Sequence, residues 1–232
     1  MGLRRTVAFL VALSLPLGAV SAAAKKDPRN PTCPEKPDWG GTQPMQFSAE
    51  QRDGKNVLVA QGMIDDALLP RLNAALERNK PVDEIWFRSP GGNARVGNQA
   101  GMAIRRLGIP TRIPAGWACF SACNFLFMGG PVRMIDPGGL FIVHMFTHTG
   151  DRSAIEAEVM RGTENTVGLI GEIEQDSALL ASEDNDFLIR MGVSRKLLTE
   201  VMYQTSAVSG NGATRRCLTQ EEVHKYNVAN VR

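Results

Sequence analysis

The chain has 232 residues, with 26 Lys and Arg against 24 Asp and Glu, a formal net charge of +2, and 43% hydrophobic residues. That length and apolar content suffice for one domain with a sizeable core. The near balance of charge argues against nucleic-acid binding, which needs a surplus of phosphate-neutralising cations clustered on one face.

Residues 1–24 hold Arg4-Arg5, an apolar run over 7–17, and Ser21-Ala22-Ala23-Ala24 ahead of Lys25-Lys26. This is the pattern of a secretory signal peptide with an A-x-A-like cleavage site. Pro16 interrupts the run, which falls short of the roughly 18 residues of a membrane span, so membrane attachment is expected only if the signal stays uncleaved. Removing Arg4 and Arg5 with the signal leaves 24 residues of each sign. Cys33, Cys119, Cys123 and Cys217 then meet an oxidising compartment, where disulfides are the default. Zinc is disfavoured, because the spacings lack the paired short-range knuckles of structural sites. Four cysteines allow three pairings, and the sequence does not choose among them.

Residues 25–44 form an extended Pro-rich leader, and 45–232 read as one domain. Residues 45–64 predict two strands around Asp53-Gly54. Asp65 and Asp66 then cap a helix with Leu68, Leu69, Leu72, Ala75 and Leu76 at helical spacing. A strand over 84–87 runs into Ser89-Pro90-Gly91-Gly92, and Val96, Ala100, Ala103, Ile104 and Leu107 mark a helix ending at Gly108. The glycines thus sit at a strand's carboxyl end, where ligands gather in strand-helix-strand sheets.

A strand over 111–115 leads through Gly116 and Trp117 to a helix beginning near Ser121 and ending at Gly129-Gly130. A hydroxyl at a helix start is ordinarily a cap, but it also lies beside unpaired backbone N–H groups able to favour an oxyanion. Strands over 132–135 and 140–146, around Asp136-Pro137-Gly138-Gly139, deliver His144 where it can face Ser121. A serine needs such a base to become a nucleophile at neutral pH. Neither His148 nor His224 is assigned a role, and neither a metal nor a cofactor is expected.

Residues 151–206 form a helical handle region. The stretch 151–181 predicts two helices interrupted at Gly162, Gly168 and Gly171, and a further helical block carries Phe187, Leu188 and Ile189, then Ser194 capping Leu197, Leu198 and Val201. Residues 206–214 read as a flexible loop, Thr219-Gln220-Glu221-Glu222 as a capping box, and 228–231 as an edge strand.

The order Ser-Pro-Gly-Gly, helix, strand, Ser121, strand, His144 resembles the serine peptidases of the Clp protease proteolytic-subunit type, within the wider crotonase-like fold. The signal and the Cys-Phe-Ser-Ala-Cys core look like a group of bacterial periplasmic proteins related to that family. The resemblance implies an α/β ClpP/crotonase-like spiral of repeated β-β-α units with helical additions. It implies Ser121 as nucleophile, His144 as general base, an oxyanion hole from the N–H groups of Gly92 and Ala122, and a substrate cleft lined by Gly91 to Ala94.

The family's third triad member, an Asp, aligns with Arg215, which cannot orient an imidazole. Asp184, Asp186 and Glu183 are alternatives, as are a backbone carbonyl and Asn211. The function expected is a periplasmic serine hydrolase, an ATP-independent peptidase acting on peptides or unfolded proteins, homo-oligomeric and without an ATP-driven unfoldase. The alternative is a catalytically inactive member of the fold serving in binding or assembly. Thioester chemistry is set aside, because acyl-coenzyme A is not a periplasmic substrate.

Overall fold

The computed structural model describes residues 25–210 and 212–231, so the segment read as a signal and Asn211 lie outside the described residues. Strands β1 (Gln46–Arg52) and β2 (Lys55–Gln61) form the expected hairpin, in register from Gln46 opposite Gln61 to Arg52 opposite Lys55. Asp53 and Gly54 take φ of 51° and 76°, as a two-residue turn matching strand twist requires. Strand β2 buries Val57, Leu58, Val59 and Ala60 in succession because both its faces are covered. Next to it β3 (Glu84–Arg88), β4 (Thr111–Ile113) and β6 (Arg133–Ile135) add in parallel, giving the order β1-β2-β3-β4-β6.

A second sheet has the order β5-β7-β8, from β5 (Ala118–Phe120), β7 (Leu140–Val143) and β8 (Arg216–Cys217). Strand β5 was not foreseen, since three residues between a turn and a helix are too few to show alternation. The chain therefore lays down a strand in the first sheet, a strand in the second, then a helix. One turn earlier, Ser89 and Gly92 replace the second strand through single bridges to Cys119 and Ile64. This is the repeated β-β-α spiral, and it brings the Ser-Pro-Gly-Gly turn beside the segment that carries Ser121.

Helix α1 (Leu68–Arg78) buries Leu68, Leu72, Ala75 and Leu76, one helical stripe. Asp65 and Asp66 do not cap it. Ala67 holds the cap position, while Asp65 pairs with Arg71 and Asp66 accepts from Asn93 Nδ2 at 2.7 Å. Helix α2 (Ala94–Leu107) is capped by Asn93, whose Oδ1 accepts from the Val96 N–H, and ends at Gly108 with φ 69°. Helix α3 (Cys123–Gly129) crosses α2 at backbone contact. A Cβ on Gly101 would lie 2.3 Å from the Phe125 carbonyl oxygen, and one on Gly129 would lie 2.3 Å from that of Gly101.

Helices α4 (Arg152–Met160) and α5 (Thr163–Met191) part at Gly162, but Gly168 and Gly171 stay inside α5. Each costs about 1 kcal/mol in a helix interior, less than a break in 29 residues of continuous backbone hydrogen bonding. The buried residues of α5, Leu180, Phe187, Leu188 and Met191, all fall in its last part, so the second apolar block is the packed end of the same helix. A π-helical turn (Leu197–Val201) and a 3-10 turn (Met202–Gln204) follow, and α6 (Gln220–Lys225) opens with the Thr219 and Glu222 capping box. Residues 228–231 form no strand; Asn230 and Val231 donate their N–H groups to the Arg133 carbonyl. No helix among the described residues is long and apolar enough to cross a membrane.

Gly101→Ala should separate α2 from α3. Overpacking of this kind costs about 1–3 kcal/mol, and a melt followed by circular dichroism should show Tm falling by roughly 3–10 °C.

Candidate active site

Ser121 lies between β5 and α3 with φ 56°, a left-handed conformation uncommon for a residue with a side chain. It is not the cap of α3; Ala122 occupies that position, and no side-chain hydrogen bond caps the helix. Its elbow is held from several directions. The Phe120 N–H donates to the Ser89 carbonyl at 3.0 Å, and the Asn124 N–H to the Ser121 carbonyl at 2.9 Å. A disulfide joins Cys119 to Cys123 across the elbow, and the second disulfide joins Cys33 to Cys217. The pairing left open by the sequence is thereby fixed.

Gly91, with φ 88°, presses against this elbow, so that a Cβ on it would come within 2.7 Å of Ser121 Cβ and 2.9 Å of the Ala122 nitrogen. Gly92 has φ 143°, and a Cβ there would sit 2.1 Å from the Ile64 carbonyl oxygen. Both positions exclude any side chain. Ser89, fully buried, accepts the Gly91 N–H on its hydroxyl at 3.0 Å, and the Gly91 carbonyl accepts from the Ile64 N–H. Among the described residues, the N–H groups of Gly92 and Ala122 meet no acceptor. They are two free donors on adjoining backbone beside the serine.

His144 follows the last residue of β7, and its Nε2 lies 2.7 Å from Ser121 Oγ. Burial holds the imidazole below its ordinary pKa, and the Met145 backbone pulls the other way. The ring packs on Phe120, with centroids 4.8 Å apart at 46°, and Phe120 stacks on Trp39 at 6.0 Å and 26°. Arg215 lies over Trp39 at 5.8 Å and pairs with Asp27 at 2.7 Å. Arg215 is thus turned to the leader.

The carboxylates offered as alternatives do not replace the missing acid. Asp186 pairs with Arg190 at 2.8 Å, and Glu183 lies 3.9 Å from Arg95. Asp184 comes nearest, because it lines the same cavity as Ser121 and His144, but it forms no hydrogen bond with the imidazole. Of the other histidines, His148 Nε2 lies 3.2 Å from Asp176, and His224 Nδ1 lies 3.2 Å from the Ala229 carbonyl.

The cavity beside Ser121 has a volume of about 60 Å³ and mostly apolar walls, among them Phe125, Met128, Phe141, Leu188 and Met202. Burial, and then the neighbouring Glu183, push the Asp184 carboxyl up to about 7. Two contributions were not foreseen in the sequence, the Trp39–Phe120–His144 packing and Asn124 in the cavity wall. The second had a readable signal, since an Asn in an otherwise apolar helix points to a polar group inside.

No protein-family model matches the chain, and no curated protein matches it in sequence. Solved structures do match in fold. An asparagine-to-aspartate mutant of ClpP1 from Listeria monocytogenes superposes with a TM-score of 0.51 at 12% identity, over 75% of this chain and 88% of that one. An alanine mutant of the 1510-N membrane-bound stomatin-specific protease gives 0.47 at 15%, over 75% and 76%, and an enoyl-CoA hydratase from Shewanella pealeana gives 0.45 at 12%, over 79% and 66%. The fold is the ClpP/crotonase-like α/β fold.

Gly91→Ala would force the turn and the elbow apart. If Ser121 is an activated nucleophile, its labelling by a fluorophosphonate should slow by about 10²-fold, the usual result of displacing a reacting group by an ångström.

Proposed function

We propose that the protein is a periplasmic serine hydrolase, an ATP-independent peptidase acting on peptides or unfolded segments through a Ser121–His144 dyad. The observation that carries this reading is the 2.7 Å contact between His144 Nε2 and Ser121 Oγ at an elbow flanked by two unpaired N–H donors. In the reaction, Ser121 Oγ attacks the substrate carbonyl carbon while His144 Nε2 takes the hydroxyl proton. The Gly92 and Ala122 N–H groups receive the oxyanion, each such donor being worth about 10²–10³ in rate. The intermediate collapses, the carbon–nitrogen bond breaks, and His144 returns the proton to the departing amine. Water then attacks the acyl-enzyme, giving its proton to His144, and the carboxylic product leaves as Ser121 regains its hydrogen.

Periplasmic location is proposed from the signal-like residues 1–24, and two disulfides fit an oxidising compartment. Homo-oligomerisation through the helical handle is proposed from α4 and the first part of α5, which expose Met160, Val159, Val167 and Ile170. The reading as an inactive binding or assembly module draws its support from Arg215 and from an imidazole that hydrogen-bonds no carboxylate among the described residues.

Labelling of the signal-less protein with a fluorophosphonate, located by mass spectrometry, separates the two. Stoichiometric modification of Ser121, abolished by Ser121→Ala and by His144→Ala, is expected. An unmodified serine in folded, oxidised protein would establish the inactive reading. Because burial depresses the His144 pKa, the base stays neutral through mildly acidic pH, and the labelling rate should fall only below about 6.5 as the imidazole takes up a proton.

A further inference from the structure

We propose that the cavity beside Ser121 is a recognition pocket for a substrate side chain that is apolar along its stem and ends in a primary amine, lysine in a peptide, with Asn124 Oδ1 and the Asp184 carboxyl receiving the amine. This rests on the reading of Ser121 as nucleophile, since a group seated there belongs to the residue whose carbonyl faces the serine.

The cavity shares its wall with Ser121, Ala122 and His144. Its volume of about 60 Å³ is roughly four times the ~15 Å³ that one water requires, the scale of an unbranched side chain. Apart from the dyad, its polar side chains are Asn124 and Asp184.

Asn124 is 6% exposed. Its Nδ2 donates to the Ile142 carbonyl at 2.8 Å, which fixes the amide, because the flipped orientation would set two acceptor oxygens against each other. Its Oδ1 is left buried without a donor. A buried acceptor in that state is costly to the fold, and a ligand donor would relieve it.

Asp184 stands apart from the other acids nearby on α5. Asp176 meets Arg95 and His148, Glu183 faces Arg95, and Asp186 holds Arg190, but no cation among the described residues pairs with Asp184. Tyr203, whose hydroxyl is held above its ordinary pKa by burial and then by Asp184, is the further titratable group beside it. With its pKa pushed up to about 7, the carboxyl is partly protonated when the pocket is empty and ionises when a cation arrives.

An ammonium carries three donors and no acceptor, so it complements two oxygens that lack donors. A carboxamide or hydroxyl brings its own acceptor into the same space. A purely apolar side chain fills the volume and leaves both oxygens unpaired.

Product-type peptides test this in the unmodified protein, since they need no turnover. Calorimetry at pH 7 would compare acetylated tripeptides identical except for a C-terminal lysine, norleucine or glutamine. Lysine should bind at least tenfold more tightly than norleucine, with glutamine between them. Lysine binding should also release protons, seen as an enthalpy that varies with the buffer's ionisation heat, and Asp184→Asn should abolish both the preference and the release. Norleucine binding as well as lysine, or no measurable binding by any of the three, would overturn the proposal. Fluorophosphonate labelling of Ser121 without lysine preference would sink the pocket and leave the hydrolase standing, whereas lysine preference without labelling would do the reverse.

Discussion

The contact on which the site depends is backbone against backbone, where the Ser89-Pro90-Gly91-Gly92 turn meets the elbow at Ser121. Gly91 lies so close that even a methyl group would overlap Ser121 Cβ. Spiral topology produces this closeness, because Ser89 and Gly92 occupy the second-sheet position of one turn while β5 occupies it in the next. The two unpaired N–H groups follow from it. Ser89 and Ile64 engage the remaining polar backbone of Gly91, and neither Gly92 nor Ala122 lies within a strand or helix that would supply an acceptor. A left-handed residue such as Ser121 costs of order 1–3 kcal/mol and persists only where its surroundings over-determine it.

The two disulfides act on different scales. Cys33 and Cys217 are 184 residues apart in sequence, and closing such a loop contributes about 5 kcal/mol in the chain-entropy model. Cys119 and Cys123 are four apart, worth only about 2 kcal/mol by the same reasoning, so the second bond matters mainly for holding the elbow. The long-range bond also anchors the leader beside β8. There Asn30 Oδ1 accepts the N–H groups of Thr214 and Arg215, Thr32 Oγ1 accepts that of Cys217, and Asp27 pairs with Arg215. Trp39 continues the leader to Phe120 and so to the imidazole. On this side of His144 the chain thus places Arg215, fastened to the leader through Asp27, and an aromatic ring packed behind the imidazole. Two more arginines tie the end of α5 to the body of the fold. Arg105 and the fully buried Arg133 both donate to the Met191 carbonyl at the end of α5, and Arg133 also donates to the Gly130 carbonyl after α3. Cations are favoured at such helix ends, and Arg133, lowered by burial and Arg105 only to about 10, remains charged at neutral pH.

The central elements were legible because their residues carry local instructions. Asp53-Gly54 specifies a hairpin, Gly108 a helix end, and Thr219 with Glu222 a capping box, each acting within a few residues. The meeting of Ser121 with His144 was legible through their order along the chain. The Cys33–Cys217 pairing and the turning of Arg215 toward Asp27 were not, since each joins residues more than 180 positions apart and no local preference encodes the match. Reading Gly168 and Gly171 as breaks overstated a propensity that a long hydrogen-bonded helix overrides. Strand β5 was hidden by its length, and with it the fact that Ser121 leaves a strand at an elbow instead of capping a helix.

Magnitudes bear on what such a dyad can do in the proposed reaction. Loss of the orienting carboxylate from a Ser-His-Asp triad costs about 10⁴ in rate, close to 5.4 kcal/mol. Phe120 packs against the His144 ring at a tilt of 46°, and the Met145 backbone favours the protonated imidazole. Neither repays the whole deficit, and burial of His144 acts against protonation. The aromatic packing fixes the ring's position, which preserves the proximity contribution, while the electrostatic contribution of a third acid is missing. In the proposed reaction such a dyad would be slower than a full triad by up to about 10⁴. That rate favours substrates held firmly beside the serine, so a pocket that grips one side chain has more to contribute here than it would beside a complete triad.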